Sequence, residues 1–293
     1  MPRTAEAVSH GAITIVNAMA TGKGAALGIN LLTRARVTIT DQAGVFTGQN
    51  LSDPDEDTML MKTTARRVLQ RFKVHKRYGA TVETESNIPV AVGLKSSSAA
   101  SNAIALATSH ALGKDASDLE TVNLGVDASL EAGVTLTGAY DDACASYFGG
   151  LVVTDNVNRR ILRRFKPKGH LRILIHLPDQ KRYTKDIDPR QLGGIKPFVQ
   201  LAHREAMREN YWCALTLNGL IYCMALGQDT SAAKQALASG AIAAGLSGKG
   251  PAVAAIVPTS RIEEVLSAWD SLSGRIIEAS LNFEKATLVR TES

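Results

Sequence analysis

Residues able to do chemistry begin at Pro89-Val90-Ala91-Val92-Gly93-Leu94-Lys95-Ser96-Ser97-Ser98-Ala99. There a β-rich segment, 81–86, runs into a proline, a glycine and three hydroxyls, followed by an alanine-rich helical pattern, 99–112. Backbone N–H groups at a helix N-terminus, backed by the helix dipole, bind anions. Hydroxyls at that point cap the helix, or hold a phosphate oxygen or a divalent metal. On its own, such a serine run is most often a capping feature centred on Ser96. Two other glycine-rich segments change the weighing. Thr21-Gly22-Lys23-Gly24, continuing to Gly28, follows a strand-like run at 12–19, and Gly245-Leu246-Ser247-Gly248-Lys249-Gly250-Pro251 precedes the apolar strand 252–257. Single glycines mark turns. Three glycine-rich segments, two carrying a lysine, point to a nucleotide held by several loops.

The common nucleotide signatures do not fit. A Walker A loop needs glycine at the first place and Ser or Thr after the Gly-Lys pair. Gly22-Lys23 has Asn17 and Gly24 at those places, and Gly248-Lys249 has Ala243 and Gly250. In G-x-G-x-x-G register from Gly22, the third glycine, Gly28, comes one residue late. The His-Arg-Asp and Asp-Phe-Gly elements of protein kinases are absent.

Acids supply the remaining chemistry. Asp141-Asp142 is either a helix cap with a first-turn acid or a source of a general base. Glu131 ends a helix opened by the capping box Ser117-Asp118-Leu119-Glu120, as a solvated helix-end acid or a metal ligand. The run Asp53-Pro54-Asp55-Glu56-Asp57 reads as acids favouring the start of a helix at about 57–78. The six histidines show no ligand spacing.

The elements that must position these residues follow in mixed order. Strands are expected at 12–19, 35–40 and 81–86, a β-rich region at 151–177, helices near 194–208 and 210–226, then strand 252–257, helix 260–271 and strands 274–281 and 286–290. This argues α+β. Asp155-Asn156-Val157-Asn158 reads as a turn and sets a domain boundary near 157, giving domains 1–157 and 158–293. The basic run Arg159 to Lys168 suits an edge strand guarded by charge better than nucleic-acid binding, since no aromatic platform accompanies it. Net charge is +5, apolar content is 45%, and no apolar run reaches the ~20 residues of a membrane span. Three cysteines without CxxC indicate neither a disulfide framework nor zinc. Without a signal-peptide pattern, a cytoplasmic location is the default expectation.

Pro89 through Ala99 matches every fixed position of P-x-x-x-G-L-x-S-S-x-A, the central signature of the GHMP kinase superfamily, and the chain resembles that superfamily from about Gly11 to Val257. Gly138, Asp142 and Gly149-Gly150 resemble a second family spacing, with one extra residue after Gly138. Gly11 to Ala18 with Thr21 to Ala26, Gly93 to Ser98, and Gly245 to Pro251 most closely resemble the archaeal-type shikimate kinases. The resemblance implies a two-domain fold, with a left-handed β-α-β type N-terminal ATP-binding domain, a ferredoxin-like C-terminal domain and the site between them. It implies ATP and Mg²⁺ as cofactors, with the nucleotide on residues 89–99 and the metal on Ser97 and Glu131. Asp142 is then the base, and Asn17, Asp141, Gly245, Ser247, Gly248 and Gly250 meet the substrate. Relatives such as mevalonate kinase carry a lysine where this chain has Ala12, which leaves Lys23, taken as catalytic, or Lys95 to neutralise phosphate. The implied reaction is phosphorylation of the shikimate 3-hydroxyl, with no nucleic-acid or membrane partner. The alternatives are a homoserine or isoprenoid-alcohol acceptor, or a non-catalytic module on the same fold. Homoserine kinases as a group lack the aspartate at Asp142. A substrate carboxylate wants a cationic clamp, and Lys181, Arg182, Lys185 and Arg190 lie in one polar stretch.

Overall fold

The computed structural model describes residues 3–135, 137–179 and 192–292, so Lys181, Arg182, Lys185 and Arg190 lie outside the described residues. The first sheet is organised by two long strands, β1 (Thr4–Val16) and β2 (Lys23–Thr40), antiparallel to each other. The outer edge of β2 is shared: Lys23–Leu27 pairs with β5 (Leu151–Asp155), and Thr33–Thr40 pairs with β4 (Gly79–Ser86). β3 (Phe46–Asn50) runs parallel to β4, and α1 (Met59–Arg71) joins them into a β-α-β unit. Strand β6 (Arg160–Phe165) closes a hairpin with β5, and β11 (Thr287–Glu292) returns to pair with β1.

Alternation explains why β1, β2 and β5 read as continuous apolar runs. Ile13, Ile15, Leu27, Ile29, Leu151 and Val153 face one core, while Ala12, Ala26 and Val152 between them face another. A strand buried on both faces has no polar side to show. The second face packs on α2 (Ser96–Ala111), α3 (Asp118–Glu131) and α4 (Tyr140–Phe148), as well as α1. Helix α2 is buried along most of its length, which its many alanines permit by letting it lie close to the sheet.

The second sheet is antiparallel, in the order β10-β7-β9-β8, from β7 (Leu171–Leu177), β8 (Ala243–Leu246), β9 (Val253–Pro258) and β10 (Arg275–Ala279). Helices α5 (Lys196–Met207), α6 (Tyr211–Leu226) and α7 (Ser231–Ala238) connect β7 to β8, and α8 (Ile262–Trp269) connects β9 to β10. Last strand beside first, then third and second, is the split β-α-β order of ferredoxin-like domains. The turn near 157 sits inside the β5–β6 hairpin of the first sheet, and β11 also joins that sheet. Residues 160–165 and 287–292 are therefore structurally part of the first sheet rather than the second. Among the described residues β6 pairs only with β5, as a charged edge strand. No helix among the described residues is long and apolar enough to cross a membrane.

Two glycines set how α6 meets the second sheet. A Cβ on Gly219 would stand 2.4 Å from Gly245 Cα and 2.7 Å from Leu246 N, backbone atoms that cannot swing aside. Gly245 thus serves helix–sheet contact. Gly219→Ala is expected to cost about 1–3 kcal/mol through overpacking, lowering the urea midpoint at unchanged m-value. Gly194→Ala, with nothing within 4 Å of its Cβ, is the neutral control. Equal midpoints for the two variants would contradict this account.

Candidate active site

Three distant segments meet where the two sheets face each other. At the end of β1, the chain turns through 17–20, held from α6 by two side chains. Asn218 Oδ1 accepts from Asn17 N at 2.9 Å, and the Tyr222 hydroxyl accepts from Ala20 N at 3.1 Å and donates to Asn17 O at 3.2 Å. Spaced four apart, Asn218 and Tyr222 share one helix face. Sequence reasoning missed both; the available signal was a buried polar pair at that spacing within an apolar helix.

The second segment is the loop before α2. Gly93 has φ 96°, and a Cβ there would lie 2.2 Å from Ser247 O, so only glycine fits. Lys95 is left-handed (φ 65°) and stands at the N-cap position with no side-chain cap, so Ser96 is the first helical residue rather than the cap. The uncapped N-terminus carries no acid in its first turn. It presents Ser96, Ser97 and Ser98 to a cavity of about 150 Å³.

The third segment is the turn between β8 and β9. Ser247 Oγ donates to Gly93 O at 2.8 Å and accepts from Thr14 N at 3.1 Å. Gly248 N donates to Thr14 Oγ1 at 2.8 Å, and Gly248 O accepts from Asn17 Nδ2 at 2.9 Å. Ala252 N donates to Val92 O at 3.1 Å.

Facing α2 across the cavity, the first turn of α4 carries Asp141 and Asp142. Lys95 Nζ pairs with Asp142 Oδ1 at 3.1 Å, both largely buried. Asp141 Oδ1 accepts from Asn156 Nδ2 at 2.7 Å, and Asn156 Oδ1 accepts from Thr154 at 2.6 Å. Burial, then the charge of Asp142, push the Asp141 carboxyl up to about 7. Burial also raises Asp142, but Lys95 and then Lys249 pull the other way. The cation beside Asp142 therefore makes it the member of the pair that holds negative charge, while Asp141 takes the proton.

The remaining expected site residues distribute as follows. Asn17, Ala91, Gly93, Lys95, Ser96, Ser97, Ser98, Asp141, Asp142 and Gly248 line the cavity. Pro89, Val90 and Val92 line a second cavity of about 600 Å³ on the other side of the same loop, with Asn50, Asn87 and Ile277. Leu94 and Ala99 are core residues. Ser247 and Gly250 build the third turn without lining the cavity. Two of the expected residues lie away from this cavity. Lys23 is exposed and lines a separate cavity with His203 and Arg204, because Thr21 to Gly28 is a turn and the start of β2. Gly24 is needed there for Asp141, whose Oδ2 would lie 2.2 Å from a Cβ. Glu131 does not line the cavity; its two carboxylate oxygens bind Arg66 and Arg67 of α1. Lys249, which the sequence reading left unassigned, does line it.

A GHMP kinase N-terminal domain model matches residues 59–150, and a GHMP kinase C-terminal model matches 204–274. The chain belongs to the GHMP kinase family. Among its relatives, it is 45% identical over 278 residues to the shikimate kinase of Methanosarcina mazei, covering 94% of each chain. It is 42% identical over 275 residues to that of Thermococcus kodakarensis, covering 94% of this chain and 99% of the relative. The fold is similar to homoserine kinase from Cytophaga hutchinsonii (TM-score 0.75, 16% identity, covering 99% and 98%). It is equally similar to mevalonate kinase from Methanococcus jannaschii (TM-score 0.75, 15% identity, covering 96% and 99%).

Burial already outweighs the cations at Asp142, and Lys95→Met should remove most of what opposes it. The Asp142 carboxyl is then expected to titrate at higher pH than in the unaltered protein, followed by carbon-13 NMR of labelled aspartate. A titration that stays in place or moves to lower pH would refute the pairing.

Proposed function

We propose that the chain transfers the γ-phosphoryl group of ATP to the 3-hydroxyl of shikimate. One observation carries the chemistry: an uncapped helix N-terminus rich in donors faces a buried, lysine-paired carboxylate across one small cavity. The first suits a phosphate and the second an acceptor hydroxyl. The acceptor is supported by the shikimate kinase relatives, which align over almost the whole chain.

Asp142 takes the hydroxyl proton while the acceptor oxygen bonds to the γ-phosphorus. The bond from that phosphorus to the bridging oxygen breaks, and its electron pair leaves on ADP. Preorganised donors at Ser96 to Ser98 and the charge of Lys95 oppose the build-up of negative charge on the transferred group. The second cavity, with apolar Ile88, Val90 and Ile277 beside polar Asn50 and Asn87, suits the base and ribose, which puts the 89–98 loop under the phosphates. Among the described residues no group of three metal-binding side chains exists. Mg²⁺ keeps waters and rests on phosphates with few protein ligands. Ser97 would hold the ion, which when bound supplies charge neutralisation on the phosphates. Glu131 is occupied by arginines instead.

Supplied with ATP and Mg²⁺ in an ADP-release assay, shikimate is expected to be consumed far faster than homoserine or mevalonate at equal concentration. A site that hydrogen-bonds its acceptor rejects analogues lacking those groups by up to ~10⁴. In the same assay Asp142→Asn should lower kcat by on the order of 10²–10⁴ with nucleotide binding little changed. Preference for homoserine or mevalonate would remove the shikimate assignment, and near-normal turnover by the variant would remove Asp142 from the mechanism.

The metal assignment has its own test. Ser97→Ala should raise the Mg²⁺ concentration for half-maximal rate, whereas Glu131→Gln should leave it unchanged. A shift in Glu131→Gln, with none in Ser97→Ala, would reverse the assignment.

A further inference from the structure

We infer that Lys249, at the tip of the β8–β9 turn, is a catalytic residue whose ammonium group stabilises the phosphoryl group in transit. The inference rests on the phosphoryl-transfer reading above and adds a residue to it. The cavity presents a problem of charge. The carboxylate of Asp142, with its protonated neighbour Asp141, lines the space that an anionic phosphoryl group must enter. Lys95 stands 3.1 Å from Asp142, so much of its charge is set against that carboxylate. A second cation is needed, and Lys23 is exposed at another cavity.

Lys249 meets the need by its position on an anchored turn. It lines the cavity, and its charge lies close enough to Asp142 to favour the ionised carboxylate. The Lys95 ammonium reaches the same turn, since a Cβ on Gly248 would lie 3.0 Å from Lys95 Nζ. The residues flanking Lys249 are fixed from both sides. Ser247 binds Gly93 and Thr14, Gly248 binds Thr14 and Asn17, and Gly250 N donates to Ser247 O at 2.9 Å. These bonds use the backbone of residues 248 and 250 and the Ser247 side chain, so the turn does not depend on the lysine side chain for its shape. A lysine on a turn anchored to both the 89–98 loop and β1 has its Cα held at the cavity wall, so only its side-chain torsions remain to be ordered when an anion enters. Lys249 keeps its proton throughout: the acceptor proton goes to Asp142, and the electron pair of the broken bond goes to the nucleoside diphosphate.

The test starts from the unaltered chain turning over shikimate with ATP; if it does not, the reading beneath the inference fails before any variant is compared. Given turnover, Lys249→Met should lower kcat by on the order of 10²–10³, the usual loss for one preorganised donor, with ADP affinity nearly unchanged. Affinity for ADP with aluminium fluoride and Mg²⁺, which imitates the group in transit, should fall by a factor comparable to the loss in kcat. Lys249→Arg should recover part of both, and Lys23→Met should remain within about two-fold on the same readouts. Lys249→Gln gives the same comparison should the methionine variant fail to fold. If kcat in the folded variants stays within about three-fold, or if ADP and ADP–aluminium fluoride weaken equally, Lys249 is not a transition-state residue and the inference is overturned.

Discussion

A single hydroxyl, Ser247 Oγ, is the constraint on which the site depends. It donates to Gly93 O in the loop before α2 and accepts from Thr14 N in β1. Three segments separated by long stretches of chain are thereby held at fixed separation, and the neighbouring Gly248 adds bonds to Thr14 and Asn17. In a buried setting each of these polar groups would be costly to leave unpaired. The cavity is therefore held by mutually satisfied loops, and one sheet's turn supplies the wall of the other sheet's site.

That interlock explains why glycines recur where they do. At Gly93 a side chain would collide with the third turn. At Gly24 it would collide with Asp141, and at Gly219 with β8. Only the first of these three glycines lies in a segment that lines the cavity as a loop. The others let strand, helix and carboxylate approach closely, which then sets where the carboxylates stand.

Electrostatics follows from the same geometry. Two helix N-termini converge on one space, and each favours negative charge. On α4 that charge is the protein's own, shared unequally by Asp141 and Asp142 because Lys95 pairs directly with Asp142. On α2 no acid fills the place. The asymmetry gives the two walls of the cavity opposite electrostatic character.

The sequence by itself determined the local chemistry. The Pro89–Ala99 signature, the Ser117 capping box and the acid pair before Gly149-Gly150 depend on residue types at short spacing, and short spacing is what a sequence displays directly. The α+β order was legible for the same reason, since strand and helix periods are local. Which glycine-rich segment is a loop was not legible, because a glycine required by a neighbour 100 residues away looks like a glycine required by a turn. Lys23 and Lys249 each sit between glycines, and only tertiary packing decides that β2 carries Lys23 to another cavity while the Ser247 interlock brings Lys249 to this one. Glu131 shows the same limit: its place at a helix end was readable, but its partners, Arg66 and Arg67, come from a helix whose position the sheet decides.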